Sequence, residues 1–191
     1  MDSKCVECAL IEYEGTQSSS VEGQRENTKL YQFHGIKYRG QRQWYHRVRN
    51  MGIEDSIKLG QQEGAILSQI GDGMAQVHNA IPHYGSAGQT ISKVFDTHLQ
   101  GMITHGTRFT LFRTFGNVGK GTNVAVYAWL RELEKIVKDH GCLPETLYMQ
   151  IDGGPENANA MMIALAELLV HRRLCKRIYI TRLPPGHTHE V

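Results

Sequence analysis

The chain is poor in the features that would assign it to a class at sight. Four cysteines, Cys5, Cys8, Cys142 and Cys175, in 191 residues are too few for a disulfide framework and suit a reducing compartment. No run of eighteen apolar residues occurs, which excludes a hydrophobic transmembrane helix. The first ten residues, MDSKCVECAL, lack a basic stretch followed by an apolar core, so no secretory signal is expected and the location is read as nuclear or cytoplasmic. Charge of one sign is also missing: the net value is +2 with ten histidines taken as neutral. The loop 116–121 lacks the Gly-Lys-Ser/Thr ending of a phosphate-binding loop, since Gly121 follows Lys120. There is no His-Glu-x-x-His pair and no internal repeat.

What is present is 40% hydrophobic residues, enough for one good core, and an uneven distribution of charge. Residues 1–24 are polar and serine-rich, so they are expected to lack order. Cys5 and Cys8 have the spacing of half a zinc site, without a second cysteine pair to complete it. Between 25 and 50, Arg25, Lys29, Lys37, Arg39, Arg42, Arg47 and Arg49 stand against a single acid, Glu26, with Tyr31, Phe33, Tyr38, Trp44 and Tyr45 among them. Basic side chains neutralise phosphates and aromatic rings stack on bases, so this segment is a candidate nucleic-acid contact, Lys37, Arg39, Arg42, Arg47 and Arg49 above all. The competing reading is a solvated helix whose aromatics pack on the domain. The division expected is a polar terminus (1–24), a basic helical extension (25–60) and an α/β domain (61–191).

Within that domain, residues 65–70, 99–104 and 108–115 read as strands, with His105-Gly106-Thr107 as a hairpin turn. Residues 122–140 read as a helix capped by Thr122 or Asn123, with Val126, Leu130, Leu133 and Val137 as its apolar stripe and Glu132, Glu134, Lys135 and Lys138 turned outward. Gly141 and Pro144 end it. A strand (147–151), a helix that is apolar nearly all round and therefore buried (156–173), and a strand (178–180) follow. The first three strands, joined by loops too short for helical crossovers, should pair antiparallel, and the later ones should add parallel.

This order gives chemistry to two carboxylates. Asp72 stands where the first strand gives out, and Asp152 where the fourth does. If those strands lie side by side and parallel, both emerge at one edge, where oxygen donors can hold Mg²⁺ or Mn²⁺ for phosphodiester cleavage or transfer. Glu190, after the last strand, is the candidate third acid. Glu156 is an accessory candidate, more simply a helix N-terminal charge. His187 and His189 admit a different reading, a zinc hydrolase, and otherwise serve as polar loop residues or phosphate donors.

Three blocks carry a resemblance to a known family. FHGIKYRGQRQWY, GDGMAQVHNAIPH, and the pair LYMQIDGGPENANA and LPPGHTHE are similar to segments of an uncharacterised domain in transposon-derived proteins of eukaryotes, thought to have a ribonuclease H-like fold related to transposases and integrases. The matching residues include His34, Arg42, Tyr45, Asp72, Gln76, Asp152, Glu156, Asn157, Asn159, His187, His189 and Glu190. The resemblance implies a mixed sheet with flanking helices, an acidic metal-binding triad beginning with Asp72 and Asp152, a DNA substrate, and a closing helix beyond Val191. The domain is thus expected to be C-terminally incomplete. It implies a transposase-like nuclease or strand-transferase; the alternative is a non-catalytic DNA-binding or scaffold remnant. No membrane partner is expected, and self-association is left open.

Overall fold

A computed structural model describes residues 6–61, 63–73, 97–116, 118, 121–151 and 159–182, with side chains from residue 9 onward. Two helices come first, α1 (Val6–Gln17) and α2 (Val21–Asp55), followed by a short 3₁₀ turn (Ser56–Lys58). Then come β1 (Ile66–Gly73), β2 (Thr97–Thr104), β3 (Arg108–Phe115), α3 (Thr122–His140), β4 (Thr146–Ile151), α4 (Ala160–His171) and β5 (Arg177–Arg182). The five strands form one mixed sheet in the order β3-β2-β1-β4-β5. β1, β2 and β3 pair antiparallel, and β4 and β5 add parallel to β1, as the loop lengths require.

The sheet is the middle of three layers. On one face lie α3 and α4, and the core between them and the sheet contains Leu67, Met102, Trp129, Ile136, Leu147, Met149, Met162 and Leu165. α2 crosses the other face. Gly52 permits its close approach: a Cβ there would come within 2.6 Å of the Ser68 Cβ on β1. The hairpin turn is fitted beneath the same helix, because Gly106 holds φ +75° and a Cβ on it would lie 2.9 Å from the Ile53 Cα. β4, covered on both faces, is buried at every residue, as expected of a central parallel strand.

Several expectations are corrected. The polar terminus is helical in part: α1 packs against α2, where the Asn27 Nδ2 donates to the Ile11 carbonyl at 2.6 Å. The serines mark the break between the two helices, and Ser20 caps α2 by accepting from the Gly23 N–H at 3.0 Å. Gly35 and Gly40 stay within α2; helix packing and length outweigh the roughly 1 kcal/mol that each costs relative to alanine. α3 is rotated from its expected orientation. Its buried residues are Val124, Ala125, Ala128, Trp129, Glu132, Leu133 and Ile136, whereas Leu130 and Val137 are exposed. Trp129 takes the centre of the core, and its size sets the rotation of the helix. Glu132, expected outside, is fully buried and reached by the Thr104 hydroxyl at 3.1 Å and by Arg108 and Lys135 at 3.4 and 3.6 Å. α3 begins after Gly121, with no side-chain cap. α4 is not buried all round: Met161, Ile163 and Leu168 are exposed, because a single sheet face covers one side of it.

Candidate functional site

β1 runs three residues past its expected end at Ile70, so that Asp72 lies inside the strand rather than beyond it. It pairs across the antiparallel ladder with Gly101 of β2. Opposed residues on a strand pair share a face, and a Cβ on Gly101 would come 3.4 Å from the Phe109 ring. On its other side β1 pairs with β4 in parallel register, Ile70 with Gln150 and Gly71 with Ile151. The condition drawn from the sequence is therefore met: the first and fourth strands are neighbours and run the same way, with β1 continuing two residues beyond the last pair, Gly71 with Ile151.

Strand alternation puts Ser68, Ile70 and Asp72 on the face crossed by α2, with Tyr148 and Gln150 of β4 beside them. Gln150 is buried; its Oε1 accepts from the Thr181 hydroxyl of β5 at 2.7 Å, and its Nε2 has no partner among the described residues. The next row along this face toward the strand starts is aromatic. Tyr148 and Tyr179 stack with centroids 4.8 Å apart and ring planes 14° from parallel, and Trp44 of α2 meets Tyr148 edge-on at 6.3 Å. Burial pushes the Tyr148 hydroxyl above its ordinary range, an effect that the nearby Arg177 and Arg47 charges oppose.

At the other flank of α2 a buried chain of polar groups ties helix to sheet. The Ser68 hydroxyl lies 2.9 Å from His105 Nδ1, and the Tyr45 hydroxyl lies 3.3 Å from His105 Nε2. Burial, with the Arg49 charge nearby, brings the His105 imidazole down to about 4, so it is neutral at pH 7. Desolvation likewise raises Tyr45. Closed in on both sides, this group holds α2 in place and offers no opening to a substrate.

The basic residues anticipated as nucleic-acid contacts all lie on α2, but not on one face. Spacings of three and seven put Arg39, Arg42 and Arg49 on one flank. Arg47 falls on the opposite flank, and Lys37 lies three turns ahead of Val48 on the line between them. Arg39 Nε donates to the Gly35 carbonyl at 3.2 Å, and Arg42 donates to the Tyr38 hydroxyl at 2.7 Å while lying over its ring.

Of the other residues singled out in the sequence, Asp152, Glu156, Asn157, His187, His189, Glu190 and Cys5 lie outside the described residues, as does the side chain of Cys8. Among the described residues no group of three histidine, cysteine or carboxylate side chains is placed to hold a metal ion, and no helix is long and apolar enough to cross a membrane. The Tyr148–Tyr179 stack went unread in the sequence. Each tyrosine is visible in its apolar run, but their juxtaposition depends on the β4–β5 register.

Comparison with solved structures finds a likeness to the crystal structure of the Mos1 strand transfer complex at 13% identity and a TM-score of 0.29, with 92% of this chain and 57% of that chain covered. The present chain thus spans little more than half the length of that one, and a score so low assigns no fold. No curated protein matches in sequence. A family profile does match, over residues 88–191, which takes in β2 to β5 with both of their crossover helices and leaves out α2 and Asp72. By that match to more than half of its length, the chain belongs to the family described as Domain of unknown function (DUF7869).

Proposed function

We propose that this chain is a transposase- or integrase-like domain of ribonuclease H-like type, which holds a divalent cation at the ends of β1 and β4 for cleavage or transfer of DNA phosphodiesters. The observation that carries the reading is the β1–β4 register. Gly71 stands opposite Ile151, so Asp72 and Asp152 each follow one peptide bond, about 3.8 Å, after a paired position. Three antiparallel strands followed by two parallel additions with helical crossovers also support the fold type. Carboxylate oxygens suit a hard cation such as Mg²⁺ or Mn²⁺. When bound, such ions stabilise charge on the attacking and leaving oxygens of a phosphodiester. The chain's own part is to fix Asp72 on a strand hydrogen-bonded on both sides, to offer Asp152 and Glu190 as further ligands, and to bring the arginines of α2 to the DNA backbone. His187 and His189, or Glu156 and Asn157, would serve as accessory polar groups.

Mn²⁺ titration followed by calorimetry tests this reading. The parent protein should bind, and both Asp72→Asn and Asp152→Asn should lose the heat of binding. Binding that survives both substitutions would place the metal elsewhere and remove the proposal. With Mg²⁺ and DNA, cleavage by the parent should disappear in Asp72→Asn. A non-catalytic scaffold would instead bind DNA with an affinity that falls as salt rises, without turnover.

A further inference from the structure

The aromatic row on the α2 face has a geometry that the proposed chemistry does not use. Tyr148 is a central-strand residue with 9% of its surface exposed, whereas Tyr179, stacked on it, is 43% exposed, and Trp44 above them is 44% exposed. Among the described residues β5 is the last strand of the sheet. The stack therefore starts in the interior and stops, among the described residues, at the sheet edge, where no further strand supplies a ring to cover Tyr179. Two rings 4.8 Å apart and nearly parallel repeat the spacing of adjacent strands. A third flat ring could continue the series.

The surroundings have the charge that a nucleic acid strand requires. Arg47 is exposed on the flank of α2 that carries Trp44, and its charge, like that of Arg177, opposes the burial-driven rise of the Tyr148 hydroxyl pKa. Arg177 is engaged with Glu145 at 2.9 Å, which leaves Arg47 as the phosphate donor of choice. The platform row and Asp72 share one face of the sheet. From Ser68, which pairs with Tyr148, to Asp72 is four strand residues, about 13 Å, a distance a nucleic acid strand bridges within a few nucleotides.

We propose that Trp44, Tyr148 and Tyr179 form a stacking platform for an unpaired base, with Tyr179 as the outer surface and Arg47 on the adjoining phosphate, so that this domain binds single-stranded DNA beside the strand ends. The inference deepens the nucleic-acid half of the proposed function and rests on that half alone; it needs no metal. Base–aromatic stacking is tolerant of sequence because every base has a π face, so the platform selects unpaired over paired strands rather than one sequence over another.

The chain contains two tryptophans, and Trp129 is fully buried, so it adds a constant background while quenching by a surface ligand reports on Trp44. Short oligo(dT), titrated into the whole chain in EDTA, should quench that emission to saturation. Tyr179→Ala should weaken binding by about tenfold, in line with the loss of one stacked base, and Tyr179→Phe should keep it. Tyr179→Leu, which retains bulk and strand preference without a ring, serves should the alanine variant misfold, and should weaken binding equally. An abasic strand of the same length and charge should bind less tightly than oligo(dT). Unchanged affinity in Tyr179→Ala or Tyr179→Leu, equal binding of the abasic strand, or absence of quenching would overturn the platform. Oligo(dT) binding is read in EDTA without metal, and Mn²⁺ binding is read without DNA, so failure of one reading is seen separately from failure of the other.

Discussion

The two faces of the sheet are built from the same strands and differ in almost everything else. On the α3–α4 face, Leu67, Met102, Trp129, Ile136, Leu147, Met149 and Met162 are all essentially without solvent contact. On the α2 face, a single helix lies over β1 and reaches Tyr148 of β4 through Trp44. It seals the row of His105 and Ser68 but leaves Ile103, Phe109, Leu111 and Phe115 exposed at 42, 64, 54 and 58%. The first face holds the fold. The second carries Asp72, the aromatic stack and the basic helix, and so has the surface at which chemistry or binding can take place. The division follows from coverage: two crossover helices are obligatory in linking parallel strands and must pack on the sheet, whereas α2 is an extension free to cover only part of it.

The contrast is broken most severely from inside the closed face. Trp129→Ala, removing the largest fully buried side chain, should cost about 3–5 kcal/mol in urea unfolding; a loss under 1 kcal/mol would show that this face is loosely packed. Gly71→Ala comes next. A Cβ there would meet the Met102 Sδ at 2.7 Å and the Trp129 ring at 3.0 Å, so overpacking should cost about 1–3 kcal/mol.

The sealed part of the open face is tested by pH. The His105 pKa is depressed to about 4, first by burial, from 6.5. The unfolded chain therefore takes up a proton below pH 6.5 that the folded protein refuses. Stability from this group is full above pH 6.5 and is lost as pH falls toward 4. Between pH 7 and pH 5 the loss should be about 2 kcal/mol, and His105→Asn, which does not titrate, should flatten that part of the profile.

The smallest effect is expected from Gly101→Ala, the counterpart of Gly71 on the open face. Its Cβ would meet the Phe109 ring at an ordinary 3.4 Å, so unfolding free energy should change by less than about 0.5 kcal/mol. Mn²⁺ binding should nevertheless weaken, because the methyl group narrows the flank of Asp72. A large stability loss here would erase the distinction between the faces.

The sequence was most legible where a local rule suffices. The β2–β3 hairpin with Gly106 at its turn, the stop of α3 at Gly141 in the left-handed region with φ +85°, and the antiparallel-then-parallel order all follow from turn chemistry and loop length. It was least legible where a side chain's fate depends on partners far along the chain. Glu132 has the look of a surface residue, yet it is buried because Thr104 and Arg108, 28 and 24 residues earlier, reach it. The helical stripe on α3 was misplaced for the same reason: periodicity identifies a helix but leaves its rotation to the pocket that receives Trp129.

Beyond the N-terminal helix α1, the sequence by itself determined the elements, the direction in which each strand must run, and the positions of the arginines and of Asp72 along them. These depend on φ/ψ preferences, hydrophobic period and the reach of short connections, which act over a few residues. Only the tertiary structure decided that β1 and β4 are neighbours in register, that Tyr148 and Tyr179 stack at the sheet edge, and that the arginines of α2 divide between two flanks. Those outcomes depend on how whole layers pack, and a register of one residue either way would turn Asp72 and both tyrosines to the opposite face.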